Sequence, residues 1–197
     1  MEKNDLNYMN YQGNLNEKLV ADKSIDLTAI AYATAEAKKV LGEMPEKAIV
    51  EVSGDIIKNV KKAMDSGKDD LKSIKYAIAA GIVAGRPEKK LEAISEVTQE
   101  EKKKIEEYIN AHIIEVKQAE TAFIFDIQVN LIYEKSFTKI RIVNNYTNVI
   151  LIEKNDDIIY IKEASLSDDN LLRTGENIGS SDFIDIKDIK DMIGKKK

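Results

Sequence analysis

The period of the hydrophobic pattern changes partway along the chain, and that change constrains the fold more than any other feature. Between Phe123 and Tyr133 every odd position is apolar: Phe123, Phe125, Ile127, Val129, Leu131 and Tyr133. The even positions include Asp126, Gln128 and Asn130. Alternation of this kind predicts a half-buried β-strand. Runs over 112–117, 138–143, 148–153 and 158–162 read as further strands, and Asn155-Asp156 suits a tight hairpin turn between the last two. The second half is thus expected to form an antiparallel meander.

Upstream the period is helical. Leu27, Ile30, Ala31, Thr34, Ala37 and Leu41 recur at helical spacing, with many alanines between them, so a helix over 24–41 is expected to be buried on more than one side. Gly42 and Pro45 supply its stop signals. Residues 48–52 are short and β-branched, an early strand. Ser53 and Asp55 are candidate N-caps of a helix reaching about 64. A polar break over 65–70 precedes a second apolar helix with Leu71, Ile74, Ile78 and Ile82 on one face. Its small residues, Ala77, Ala79, Ala80, Gly81 and Gly85, permit close backbone packing. Arg86-Pro87 opens a short helix. Thr98-Gln99-Glu100-Glu101 fits the capping box of a charged helix to about 110.

Helices with one early strand, then a run of strands, give an α+β fold rather than alternating α/β. The division expected is an N-terminal arm over 1–16, a single α+β domain over 17–163, and a polar C-terminal segment over 164–197. Ile184, Ile186, Ile189 and Ile193 suggest a short helix in that last segment.

Composition removes several function classes. With 43% hydrophobic and 33% charged residues, the chain of 197 has the make-up of a soluble globular protein with its own core. A net charge of -5 argues against nucleic-acid binding. The absence of cysteine excludes disulfides, thiolate catalysis and iron–sulfur or Cys-based zinc ligation from within this chain. No apolar stretch reaches the length of a membrane span, and the polar start lacks the pattern of a signal peptide, so a cytoplasmic protein is expected.

Four segments carry a family resemblance by their order and spacing. They are Lys23-Ser24-Ile25-Asp26-Leu27 before the Ala-rich helix, Ser53-Gly54-Asp55-Ile56-Ile57-Lys58-Asn59, Ala79-Ala80-Gly81-Ile82-Val83-Ala84-Gly85, and Tyr146-Thr147-Asn148-Val149-Ile150. Together they resemble the N-terminal half of the L-cysteine desulfidase and UPF0597 family, relatives of the iron–sulfur L-serine dehydratases. The resemblance covers roughly residues 17–193. It implies a [4Fe–4S] cluster whose iron acts as a Lewis acid in an α,β-elimination. It also implies a site drawn from Ser24, Asp26, Ser53, Lys58, Asn59, Thr147 and Asn148.

The departures from the family pattern point away from catalysis. Ser24 stands where the family's Gly-Cys-Thr-Glu-Pro motif has its cysteine, and a serine oxygen is a poor ligand for soft iron. Asp26 replaces the motif glutamate, Leu27 the proline, and Tyr146 the histidine before Thr-Asn. Full-length relatives are roughly twice as long, and the remaining cluster cysteines lie in the half this chain lacks. The expectation is therefore a degenerate domain with no catalytic residue of its own, no metal and no [4Fe–4S] cofactor. It would serve as an accessory or small amino-acid-binding protein. The alternatives are one subunit of a split iron–sulfur lyase, or a structural or interaction protein that uses its sheet or small-residue helix as an interface. The partners to consider are a small amino acid, a second copy in a homo-oligomer, or a separate C-terminal-half chain. No nucleic-acid or membrane partner is expected.

Plainer roles stand beside each site residue. Ser24 reads as a helix N-cap as well as a nucleophile, Ser53 as an N-cap, Lys58 as a solvated lysine, and Thr147-Asn148 as turn residues. Ser53, Lys58 and Asn59 together could hold a substrate carboxylate. His112, the only histidine, reads as structural. The acidic spacing from Asp65 to Tyr76 does not make a calcium loop, nor Gly67-Lys68-Asp69 a phosphate loop.

Overall fold

The alanine-rich run folds as helix α1, Ile25–Leu41. Its alanines have a packing reason: Ala29, Ala31, Ala33, Ala35 and Ala37 are all buried. One side of α1 lies on the sheet and another on a second helix, so bulkier side chains would hold these layers apart. Gly42 ends the helix at φ +86, a left-handed conformation that glycine adopts without strain.

Strand β1 (Lys47–Val52) follows, then α2 (Gly54–Ala63) and α3 (Asp70–Ala84). A short 3-10 helix spans Pro87–Glu92. Helix α4 (Gln99–Ala111) opens on the expected capping box. The Thr98 hydroxyl accepts from the Glu101 N–H at 3.2 Å, and the Glu101 carboxylate accepts from the Thr98 N–H at 2.8 Å. Strands β2 (Ile113–Gln118), β3 (Asp126–Tyr133), β4 (Ser136–Val143), β5 (Val149–Lys154) and β6 (Asp157–Ile161) complete the fold.

The computed structural model describes residues 25–63 and 70–166. The arm over 1–16, Ser24, residues 65–69 of the polar break and the helix around 184–193 lie outside the described residues, while Asp70, placed in the break, opens α3. Within the described residues the fold is α+β, as expected.

The six strands of the described residues form one sheet in the order β2-β1-β3-β4-β5-β6. The meander is β3 to β6, antiparallel throughout. The early strand is not peripheral to it. β1 pairs antiparallel with β3 on one side and parallel with β2 on the other. The parallel pair needs a long crossover, which α2, α3, the 3-10 helix and α4 supply. One sheet face carries Ala48, Val50 and Val52 of β1, Ile127, Val129 and Leu131 of β3, and Thr138, Ile140 and Ile142 of β4, all buried. Helix α1 packs on β3 and β4 on this face.

One strand start and one helix-face residue differ from the sequence expectation. β3 begins at Asp126 rather than Phe123, because the preceding aromatics have other partners. Phe123 lies under the Arg141 guanidinium at 5.5 Å from the ring centroid, and Phe125 meets Tyr146 edge-on at 4.9 Å. Leu71, placed with the apolar face of α3, is exposed, whereas Ile74, Ile78 and Ile82 are buried. Among the described residues no helix is long and apolar enough to cross a membrane.

Candidate functional site

Strand direction places most of the candidate residues at one end of the sheet. Val52, the last residue of β1, faces Ile127 near the start of β3, and Asp126 faces Val143 at the end of β4. Helix α1 runs with its last turn at the opposite end. There Thr138 donates to the Ala37 carbonyl at 3.2 Å and Lys154 to the Leu41 carbonyl at 3.2 Å. Its first turn, carrying Asp26, therefore lies toward the end that holds Ser53, Asp126 and the β4–β5 turn.

Asp26 is 4% exposed. A carboxylate in the first turn of a helix faces the positive end of the helix dipole. Burial nevertheless dominates and raises its carboxyl above the ordinary aspartate value, while a side-chain hydrogen bond with Asn59 pulls the other way. Asn59 comes from α2, whose other face buries Ile56 and Val60 against the core. Two residues distant in sequence thus meet at a buried carboxyl.

Ser53 is buried and fully engaged. Its hydroxyl donates to the Ile124 carbonyl at 2.6 Å and its N–H to the Asp126 carbonyl at 2.9 Å. Its own carbonyl accepts from the Ile57 N–H at 3.3 Å, so the residue sits where an N-cap would. The hydroxyl, however, turns across to the segment before β3 rather than into the first turn of α2. That corrects the N-cap expectation for the Ser53 side chain: an interstrand carbonyl is its partner. Lys58 is exposed and lies 3.8 Å from Asp55, one helical turn back.

Thr147 and Asn148 form part of the β4–β5 turn. The Asn148 amide donates to the Val143 carbonyl at 3.0 Å and accepts from the Lys162 ammonium at 3.0 Å. The Thr147 carbonyl accepts from the Val149 N–H at 3.0 Å. Of the candidates, the structure brings Asp26 and Asn59 into contact. Ser53, Thr147 and Asn148 are held in their own bonds at the same end of the sheet, and Lys58 lies on the solvent side of α2.

The sequence pattern counted Asp126 among the polar positions of a half-buried strand, yet it is 0% exposed. The Arg141 Nε donates to one of its oxygens at 3.1 Å and Nη2 to the other at 2.7 Å, a bidentate pair. The signal was available: an acid and an arginine in neighbouring strands, each on the polar phase of its own alternation. His112 caps the far end of α4, stacked on Tyr108 with centroids 4.3 Å apart, away from this site. Among the described residues no group of three or more His, Cys, Asp or Glu could hold a metal ion.

Comparison with known proteins gives the chain a family. A UPF0597 protein of Desulfitobacterium hafniense is 42% identical over 99% of this chain and 47% of its own length. UPF0597 proteins of Finegoldia magna and Treponema denticola are 35% and 30% identical over 82% and 70% of the chain, covering 37% and 32% of their own lengths. The chain thus spans less than half the length of these curated relatives. No family model matches it, and no solved structure matches it. With identity of this level running through almost its entire length, the chain belongs to the UPF0597 family.

Proposed function

We propose that the chain is a non-catalytic, serine dehydratase- or cysteine desulfidase-like domain of the cytoplasm that binds a small amino acid where Asp26 and Asn59 meet. The observation that carries this reading is the buried Asp26 carboxyl with the Asn59 side chain beside it. A buried carboxyl beside the Asn59 amide is a natural counter-charge for an α-ammonium group. The Asn59 amide offers both a donor and an acceptor to the rest of such a ligand.

The donor set does not fit an iron–sulfur cluster. Such clusters are held by thiolates, the chain has no cysteine, and Asp26 and Asn59 offer only hard oxygen and amide donors. We therefore derive no elimination chemistry through a cluster.

The test is ligand-induced stabilisation of the full chain by L-serine, L-cysteine and glycine, measured by thermal unfolding and calorimetric titration. A rise in Tm that disappears in Asp26→Asn and Asn59→Ala is expected. Unchanged Tm with all three would overturn the binding reading, and release of pyruvate from L-serine or L-cysteine would overturn the non-catalytic one.

The second reading is a subunit that works with a separate chain like the remainder of those relatives, less than half of whose length this chain spans. Co-purification of such a chain in stoichiometric amount supports it. Recovery of the protein alone from its native cells counts against it.

A further inference from the structure

The β6 edge of the sheet carries a self-complementary sequence. β6 pairs with β5 through Leu151–Ile161, Ile152–Tyr160, Glu153–Ile158 and Lys154–Asp157, with a register shift that leaves Ile159 as the extra residue. Just beyond the strand, the Lys162 N–H donates to the Ile150 carbonyl at 2.8 Å, so Lys162 and Tyr160 turn their backbone groups toward β5. Ile161 then turns its N–H and C=O outward. The two-residue Asn155-Asp156 loop closes on the Lys154–Asp157 pair, which sets Ile158 outward as well. Among the described residues, Ile158 and Ile161 are thus the two positions whose backbone groups point away from β5 at this edge. Between them Ile159 is 57% exposed and Tyr160 44% exposed.

Laid antiparallel against itself, this segment matches at every position. Asp157 faces Lys162, Ile158 faces Ile161, and Ile159 faces Tyr160. The faces agree too. Asp157, Tyr160 and Lys162 lie on the face of Lys154 and Ile152, whereas Ile158 and Ile161 lie on the face of Glu153 and Leu151. Each twofold pairing would bring two opposite-charge pairs to the ends of an apolar centre. The opposite edge, β2, has no such charge free: its Glu115 is already held by Lys47 at 2.7 Å and Lys117 at 3.5 Å.

We infer that β6 pairs antiparallel with β6 of a second copy of this chain, joining two six-stranded sheets edge to edge. Ile159 and Tyr160 expose apolar surface at this edge of the described sheet, and a pairing strand would cover it. The charge pattern selects a second copy in this register over an unrelated strand. Lys162 would share its ammonium between Asn148 and the second copy's Asp157. This inference goes beyond the binding reading above and does not depend on it. One strand pair is a small interface, so the association is of the weak class.

Sedimentation of the full chain from about 10 μM to about 1 mM tests it. The weight-average mass is expected to rise from the 22.2 kDa of one chain toward twice that value. Asp157→Lys and Lys162→Glu alone should each abolish the rise, and the double reversal should restore it. Ile161→Pro, which removes an outward N–H and leaves the β5 ladder intact, should give a monomer with an unchanged circular dichroism spectrum. A wild-type monomer throughout, or a dimer indifferent to the charge reversals, overturns the proposal.

Discussion

Arg141 grips both carboxylate oxygens of Asp126 from the adjacent strand, at 3.1 and 2.7 Å, and Asp126 has no exposed surface. The Asp126 backbone carbonyl also accepts the Ser53 N–H, so this pair anchors the junction of β1, β3 and β4. Removing the arginine would leave a buried carboxylate whose remaining side-chain partner among the described residues is the Gln128 amide, at 3.4 Å. Arg141→Met is expected to destabilise by about 3 kcal/mol, the low end for breaking a buried pair, since the arginine side chain keeps 20% exposure. Urea denaturation measures it. Asp126→Asn in the same chain should recover most of the loss; no recovery would mean that Arg141 acts through packing on Phe123 instead.

Gly81 of α3 sits where α1 comes closest. A Cβ there would collide with the Thr34 hydroxyl and with the Ala31 backbone carbonyl. The hydroxyl is itself fixed, 3.0 Å from both the Ile30 and the Ala31 carbonyls. Backbone cannot step aside as a flexible side chain can. Gly81→Ala should therefore cost about 3 kcal/mol or more despite its better helix propensity, the upper range for overpacking. A midpoint of denaturation equal to or above wild type would show that the two helices can separate freely.

Period and turn chemistry are local, and what depends on them was legible. The alternation after Asp126, the capping box at Thr98 and Glu101, the stop at Gly42 and the turn at Asn155 each follow from a few neighbouring residues. Asn155 indeed takes a left-handed φ of 56. What the sequence hid depends on contacts between distant segments. The parallel pairing of β1 with β2 is decided by how the intervening helices cross. The burial of Asp126 is decided by Arg141 on another strand. The meeting of Asp26 with Asn59 is decided by how α2 lies beside the start of α1. Ser53 could be placed at a helix start, but not its hydroxyl, because Ile124 lies on a different strand connection.

Lys90 stores strain in the 3-10 segment. Its φ of 51 and ψ of -118 are a conformation that side chains with a Cβ resist, and its carbonyl is held by the Ala93 N–H at 2.9 Å. The side chain is exposed, so little packing is at stake. Lys90→Gly should stabilise the protein by about 0.5–1 kcal/mol, the relief of strain less the added entropy of the unfolded chain. Thermal and urea unfolding should agree on the sign. A loss of stability would indicate that the lysine side chain contributes a contact worth more than the strain.

Asp26 gives the candidate site a pH signature. Burial raises its folded value above the unfolded one, against the smaller pull of Asn59. Between the two values the unfolded chain has released a proton that the folded chain still holds. Stability must then fall as pH rises through that window, and level off once the folded carboxyl has ionised. The Asp26 contribution is therefore most favourable in acid, below the ordinary aspartate range of about 4. Asp26→Asn cannot ionise, so relative to wild type it should gain stability toward neutral pH and lose that advantage in acid. In Asn59→Ala the carboxyl loses its lowering partner, and the window should widen upward. An amino acid whose ammonium pairs with Asp26 acts in the opposite sense, favouring the ionised folded form, so its binding should strengthen as pH rises through the same window. Stability curves for wild type and Asp26→Asn that stay parallel across acid and neutral pH would remove Asp26 as the titrating group.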